Sequence, residues 1–290
     1  MGTTIGIIGT GNMGSALVRG WLRAGDPGLR LLVWDKMEDA ARRLLTCEAV
    51  AMPPSLEWLV QQADPLLVVV KPKDAASVLQ SVAPLLRSGQ KLISCMAGVD
   101  LAQLRAWTGP APVLFRIMPN LGVELGAGAV AVSDEPGGPA ADLQAVIDLV
   151  SQLGLTFAVP EDMLDAVTAL AGSGPALLAV AVEALEDGAV AAGLPRGLAR
   201  RLVRRTARTT ACSLPSFGDS PSRLCEAVTS DDPRERSVFT RFRERGIADS
   251  YRAAIVAAAR RGRELRAQAA THESAPCTLE GDAGPTTEEG

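Results

Sequence analysis

The stretch Ile5-Gly6-Ile7-Ile8-Gly9-Thr10-Gly11-Asn12-Met13-Gly14-Ser15-Ala16-Leu17-Val18 decides the fold. An apolar, β-prone run meets a glycine-rich turn, and the turn leads straight into a helical pattern. Each glycine has a job in such a unit. Gly9 permits the tight turn, Gly11 lets backbone come close to a pyrophosphate, and Gly14 lets the helix pack against the strand. The new helix then offers unpaired N–H groups and a partial positive charge to the phosphates. Gly9, Thr10, Gly11, Asn12, Met13 and Gly14 are therefore the candidate dinucleotide cradle. A glycine turn between any strand and helix can mimic the hexamer, so its neighbourhood has to support it.

Downstream the chain alternates strand and helix. Apolar runs at Leu31–Trp34, Leu66–Val70, Leu92–Ser94 and Val113–Ile117 are separated by segments of helical period. Their hydrophobicity is continuous rather than alternating, as expected of strands covered on both faces. Further strands are expected at Gly126–Val132 and Thr156–Val159, flanking a helix over Ala140–Leu153. The reading is an α/β, doubly wound, Rossmann-type domain over residues 1–160.

From Glu161 onward the strand pattern stops. Helices are expected at Met163–Leu170, Pro175–Ala192, Arg196–Leu214, Ser222–Val228 and Ile247–Ala267, forming an all-α domain over residues 161–268. Pro175 and Pro195 stand where first turns begin, and Gly193 stands where a helix would end. Residues 269–290 are acidic and rich in small residues, and they read as a disordered tail.

Composition narrows the function. The chain has 290 residues, a formal net charge of −4 and 47% hydrophobic residues, enough for a substantial core. No apolar run near the roughly 20 residues of a membrane span is expected, nor a leader or lipid anchor, and the expected location is the cytoplasm. Cys47, Cys95, Cys212, Cys225 and Cys277 are scattered and suggest neither a disulfide framework nor a metal site. The basic run Arg200-Arg201-Leu202-Val203-Arg204-Arg205 lacks aromatic interleaving and reads as a solvated helix face, so no nucleic-acid partner is expected.

The residue inventory limits the chemistry further. The only histidine, His272, lies in the predicted tail, and no lysine follows Lys91. Neither an imidazole nor a lysine from the helical half is on hand to protonate a reduced carbonyl. A cyclic imine that arrives protonated needs mainly orientation against the cofactor. Tyr251, the acids, the hydroxyls and water remain as candidate donors.

Several motifs then recur together: the Gly9–Gly14 hexamer, Val70-Lys71-Pro72, Met96-Ala97-Gly98-Val99 and Arg116-Ile117-Met118-Pro119-Asn120. In the helical half come Ala171-Gly172-Ser173-Gly174-Pro175-Ala176, Glu183 to Val190, and Gly193-Leu194-Pro195. In this set and order the chain resembles the pyrroline-5-carboxylate reductases from Ile5 to about Leu265. The resemblance implies NAD(P)H-dependent reduction of 1-pyrroline-5-carboxylate to proline. It also implies a homodimer, or a larger assembly of dimers, built through the helical domain. Val70, Lys71, Pro72, Ala97, Gly98 and Asn120 would border the nicotinamide, and the Ser173-Gly174-Pro175 turn would open the long helix facing it. Lys71, Ser173 and Asn120 become the candidate catalytic residues, and Ser173, Gly174, Glu183 and Ser230 candidate substrate contacts.

The chain also departs from that family. Its substrate-carboxylate loop usually reads Ser-Pro-Gly-Gly-Thr-Thr, and here the stretch is Ser230-Asp231-Asp232-Pro233-Arg234-Glu235-Arg236-Ser237. Arg234 or Arg236 could hold a carboxylate by a bidentate contact in place of backbone amides. Otherwise the pocket serves another cyclic imine or a basic substrate, or the chain is an inactive nucleotide-binding paralogue. Leu121-Gly122 likewise replaces Thr-Pro after Asn120. Asp35, ending the second strand, suits the ribose hydroxyls of NADH, whereas Lys36 suits the extra phosphate of NADPH; the expected donor is NADPH, with NADH as the alternative.

Overall fold

The computed structural model describes residues 2–218, 220–229, 240–242 and 244–272, with side chains as far as residue 264. Eight strands make one sheet in the order β3-β2-β1-β4-β5-β6-β7-β8. They are β1 (Thr3–Ile8), β2 (Leu29–Trp34), β3 (Val50–Ala51), β4 (Leu66–Val68), β5 (Lys91–Ser94), β6 (Val113–Pro119), β7 (Gly128–Asp134) and β8 (Gly154–Ala158). Between them run α1 (Asn12–Ala24), α2 (Glu38–Arg42), α3 (Leu56–Gln62), α4 (Pro72–Val82), α5 (Leu101–Thr108) and α6 (Ala140–Ser151).

Successive strand residues point to opposite faces, and here both faces are buried. Ile5, Ile7, Leu31, Val33, Leu67 and Ile93 join one core with Leu17 and Trp21 of α1. Ile8, Leu32, Leu66, Val68 and Leu92 join the other with Leu59, Leu79 and Leu104. That is why the strands read as unbroken apolar runs.

One strand corrects the parallel reading. β7 pairs antiparallel with β6, while every other pairing is parallel. Only a short 3-10 turn, Leu121–Leu125, connects the two, and a parallel return would need a crossover of about a dozen residues or more. The fourth strand also ends at Val68 rather than Val70, leaving Val69 and Val70 to form the loop beside the glycine turn.

Among the described residues the further helices are α7 (Leu164–Val167), α8 (Ser173–Ala191), α9 (Arg196–Ser213), α10 (Pro221–Thr229) and α11 (Ile247–His272). No loop separates α7 from α8, contrary to the sequence expectation. A π-helical turn at Thr168–Gly172 carries the helix through, and Ser173 N–H bonds back to Ala169 rather than starting a new first turn. Pro175 explains the wide turn, because its ring would otherwise press on the carbonyl four residues back. α11 runs through the alanine-rich residues to His272, beyond the expected end at Ala267; residues 273–290, where the tail is expected, lie outside the described residues.

Glu161–Ala191 is long and apolar enough, by length and composition, to cross a membrane, which corrects the expectation that no run approaches that length. Little of it is buried, and α8 itself has no fully buried residue. α8 packs on α9, where Glu186 receives hydrogen bonds from Arg196 and Arg200. Met118, Ala131 and Leu164 make the small core joining this half to the sheet.

Candidate active site

The glycine turn is built as the sequence requires. Gly9 has φ 101°, and a Cβ there would lie 2.6 Å from the carbonyl oxygen of Val69. A Cβ on Gly14 would lie 2.0 Å from the carbonyl oxygen of Gly9. Gly11 differs, for nothing lies within 4 Å of its Cβ position. Neighbouring chain demands the first two glycines, whereas Gly11 opens onto free space. Gly11 is also the N-cap of α1 and supplies no side-chain cap, and the first turn holds no acid. Open space at a helix start with uncapped N–H groups fits a pyrophosphate.

Asp35 closes the turn from the other side. Its Oδ2 accepts hydrogen bonds from the backbone N–H and hydroxyl of Thr10, at 2.7 and 3.0 Å, and its Oδ1 accepts from Met37 N–H at 2.9 Å. The carboxylate thus fastens the glycine turn to the end of β2. Lys36 is exposed and reaches Asp74 in the first turn of α4, Nζ to Oδ1, at 3.2 Å.

The other candidate residues gather at the same edge of the sheet. Lys71 is the N-cap of α4 and Pro72 its first residue, so the proline starts the helix as well as ending the strand run. Gly98 turns with φ 76° after β5. At the end of β6, Asn120 Oδ1 accepts from Gly122 N–H at 3.1 Å and Ala129 N–H at 3.3 Å. Its amide NH2 group has no protein acceptor among the described residues. Asn120 lines a cavity of about 1080 Å³ with Ala129, Phe157, Gly174, Pro175 and Tyr251.

That cavity brings together two of the expected residues, Asn120 and Gly174. Lys71, Ala97, Gly98, Ser173 and Glu183 are not part of its lining. Glu183 is exposed on α8, and Ser173 continues a helix rather than opening one. Ser230, Arg234 and Arg236 lie outside the described residues. Tyr251, whose hydroxyl donates to Leu177 O at 3.4 Å, had been only one of several candidate donors; being the chain's single tyrosine was its only signal.

Comparison with known proteins identifies the family. A family model for pyrroline-5-carboxylate reductase dimerisation matches residues 161–265, and one described as NADP oxidoreductase coenzyme F420-dependent matches residues 4–98. A pyrroline-5-carboxylate reductase of Glycine max is 33% identical over 263 residues, 90% of this chain and 96% of that protein. The chain belongs to the pyrroline-5-carboxylate reductase family. A solved reductase of the family, from Streptococcus pyogenes, superposes with a TM-score of 0.80 at 28% identity, covering 91% of this chain and 99% of the other. The Plasmodium falciparum reductase, solved with NADP bound, shares the fold with a TM-score of 0.82 at 24% identity, covering 91% and 98%.

Two residues of this family member escaped sequence reasoning. Arg116 was visible only as part of a motif, and Glu161 only as the residue where the pattern changes. They form an ion pair in which Arg116 is buried and Glu161 is half-buried. Nothing in the sequence announces a contact between residues so far apart.

Proposed function

We propose that the protein reduces 1-pyrroline-5-carboxylate to proline with a reduced nicotinamide dinucleotide. The observation that carries this reading is the glycine turn, forced closed at Gly9 and Gly14 and open at Gly11, in a chain of this family. The dinucleotide, when bound, supplies the hydride; the protein's own part is to hold and orient. The Gly9–Gly14 backbone and the start of α1 would hold the pyrophosphate. Val70, Lys71, Pro72, Ala97, Gly98 and Asn120 would border the nicotinamide, and Asn120's amide NH2 is free to donate there. Ser173, Gly174 and Glu183 remain the proposed contacts of the helical half with substrate, beside Ser230, Arg234 and Arg236.

NADPH is the proposed donor, with NADH as a second. Asp35 is committed to Thr10 and Met37, while exposed Lys36 is held only by a surface pair, which is weak and easily redirected to a phosphate. The apolar, largely uncovered α8 supports a homodimer or an assembly of dimers, working in the cytoplasm on a small cyclic imine. The residues Asp231-Asp232-Pro233-Arg234, where the family has a glycine loop, favour a second reading in which the client is another cyclic imine.

The test is oxidation of NADPH, and separately NADH, by the purified chain with 1-pyrroline-5-carboxylate and with its six-membered homologue. Faster turnover of the five-membered ring supports the first reading, and preference for the six-membered ring supports the second. Cofactor binding without turnover of either imine would overturn the first reading, and binding without turnover of any cyclic imine would overturn both and leave a nucleotide-binding paralogue. A strong NADH preference would overturn the role given to Lys36.

A further inference from the structure

Arg116 stands in β6 with its side chain 2% exposed, so its charge has been taken out of water. Such a charge persists only with good partners, and here they come from separate parts of the molecule. Nη1 donates to Glu161 Oε1 at 2.5 Å, and Nη2 donates to the carbonyl of Met96 at 3.2 Å. The same Glu161 oxygen accepts from Leu101 N–H at 3.3 Å, where α5 begins. Met96 immediately precedes Ala97 and Gly98, and Glu161 is the residue from which the helical half runs. Asn120 follows Arg116 at the end of the same strand.

Stability alone is a poor explanation for this pair. Glu161 is 26% exposed, so the desolvated partner is the arginine, and an ion pair with a desolvated member is often matched or bettered by apolar residues of similar volume. This one is also unsaturated, since Arg116 Nε and Glu161 Oε2 are buried without a partner. Nor does the arginine serve a nearby nucleophile. Burial pushes the Cys95 thiol up to about 12, against the opposing pull of the Arg116 charge, which disfavours the nucleophilic thiolate near neutral pH. What the pair does supply is a fixed geometry among β6, the loop after β5 and the start of the helical half.

We propose that Arg116 and Glu161 are positioning residues: their ion pair locks the Met96–Gly98 loop at the nicotinamide edge against the helical half that faces it. The pair sets the approach of donor to imine without touching either. This rests on the proposed activity, because only that reading puts the nicotinamide at the loop. Misplacement of reacting atoms by about 1 Å costs on the order of 100-fold in rate.

The experiment uses the full chain and the variants Glu161→Gln, Arg116→Lys and the apolar double variant Arg116→Met with Glu161→Leu. NADPH affinity, the emission of bound reduced nicotinamide, kcat, KM and the isotope effect with deuterated NADPH are measured. The expected result is NADPH affinity within about threefold of wild type, because the glycine turn is untouched, but altered nicotinamide emission. With it come a kcat lowered by about 30-fold or more, KM within about threefold, and a larger isotope effect. The double variant is expected to be stable yet still slow, which an ion pair serving stability alone would not produce. Wild-type kcat and nicotinamide emission in Glu161→Gln, or full activity in the double variant, would overturn the proposal. If the single variants do not fold, the double variant decides by the same criterion. If wild type turns over no imine, the proposed activity fails, while the emission of bound NADPH in the variants still tests the positioning role.

Discussion

The two halves of the chain bury their apolar side chains to different degrees, although the sheet half too leaves Leu155 and Phe157 exposed at its β8 edge. In the sheet half Ile5, Ile7, Leu17, Leu67 and Phe115 are at most 1% exposed, whereas in the helical half Leu178 is 67% exposed and Leu185 58%. The first half carries a finished core and a finished glycine turn. The second presents an apolar helix that a single chain leaves in water, at a cost that a second surface would remove. Cofactor binding should therefore depend on the sheet half, and assembly on the other.

Substitution within the glycine turn gives the largest expected effect and tests that division at its sharpest point. Gly14→Ala puts a methyl group onto the carbonyl of Gly9, which backbone cannot yield cheaply. We expect a loss of stability of about 3 kcal/mol or more and no measurable NADPH binding. Gly11→Ala meets no protein atom, so its stability should change by less than about 1 kcal/mol, while NADPH affinity falls about tenfold or more. Denaturant unfolding and cofactor titration separate the two. Normal cofactor binding by Gly11→Ala would mean that the open face of the turn is not where the dinucleotide sits.

Next in size is the contrast between buried and exposed leucines. Leu67→Ala, in a strand covered on both faces, should cost about 2–5 kcal/mol, and Leu178→Ala less than about 0.5 kcal/mol in the isolated chain. In the assembled protein the exposed leucine should matter. Leu178→Asp would bury a charge at the proposed contact and raise the dissociation constant of the dimer by about 100-fold or more. Sedimentation across a concentration series measures this, with cofactor affinity as the control. An unchanged mass would mean that the α8 face is not the contact.

How much of this was legible beforehand followed the range of the interactions. The hexamer and the continuous strands were readable because Gly9, Gly14 and runs such as Leu66–Val68 report local geometry and two-sided burial. The antiparallel entry of β7 was legible too, because the few residues between Pro119 and Gly128 leave no room for a parallel crossover, but that signal lies in loop length and not in the apolar pattern of the strands. The π turn was hidden because Pro175, three residues into α8, has the same pattern as a proline opening a new helix. The hold of Asp35 on Thr10 is a contact between residues 25 apart. Arg116 meets Glu161 across 45 residues. Period and spacing do not encode such pairs.

The smallest expected effect separates the halves by pH. Glu186 of α8 is held below the ordinary carboxylate value of 4.5, first by its hydrogen bond to Arg200 and then by Arg196. Because the folded value is depressed, the stabilisation is fully present above the unfolded value and drains away as pH falls through the folded one. The contacts are near the surface, so the effect is small and weakened by salt. Comparing wild type with Glu186→Gln in thermal unfolding should show a gap near neutral pH that closes on acidification below about pH 4.5. Cofactor affinity should not distinguish the two proteins at neutral pH, since the glycine turn shares no contact with Glu186. A gap that stays constant with pH would mean that the α8–α9 hairpin is held by shape rather than charge, and would remove this electrostatic contrast between the halves.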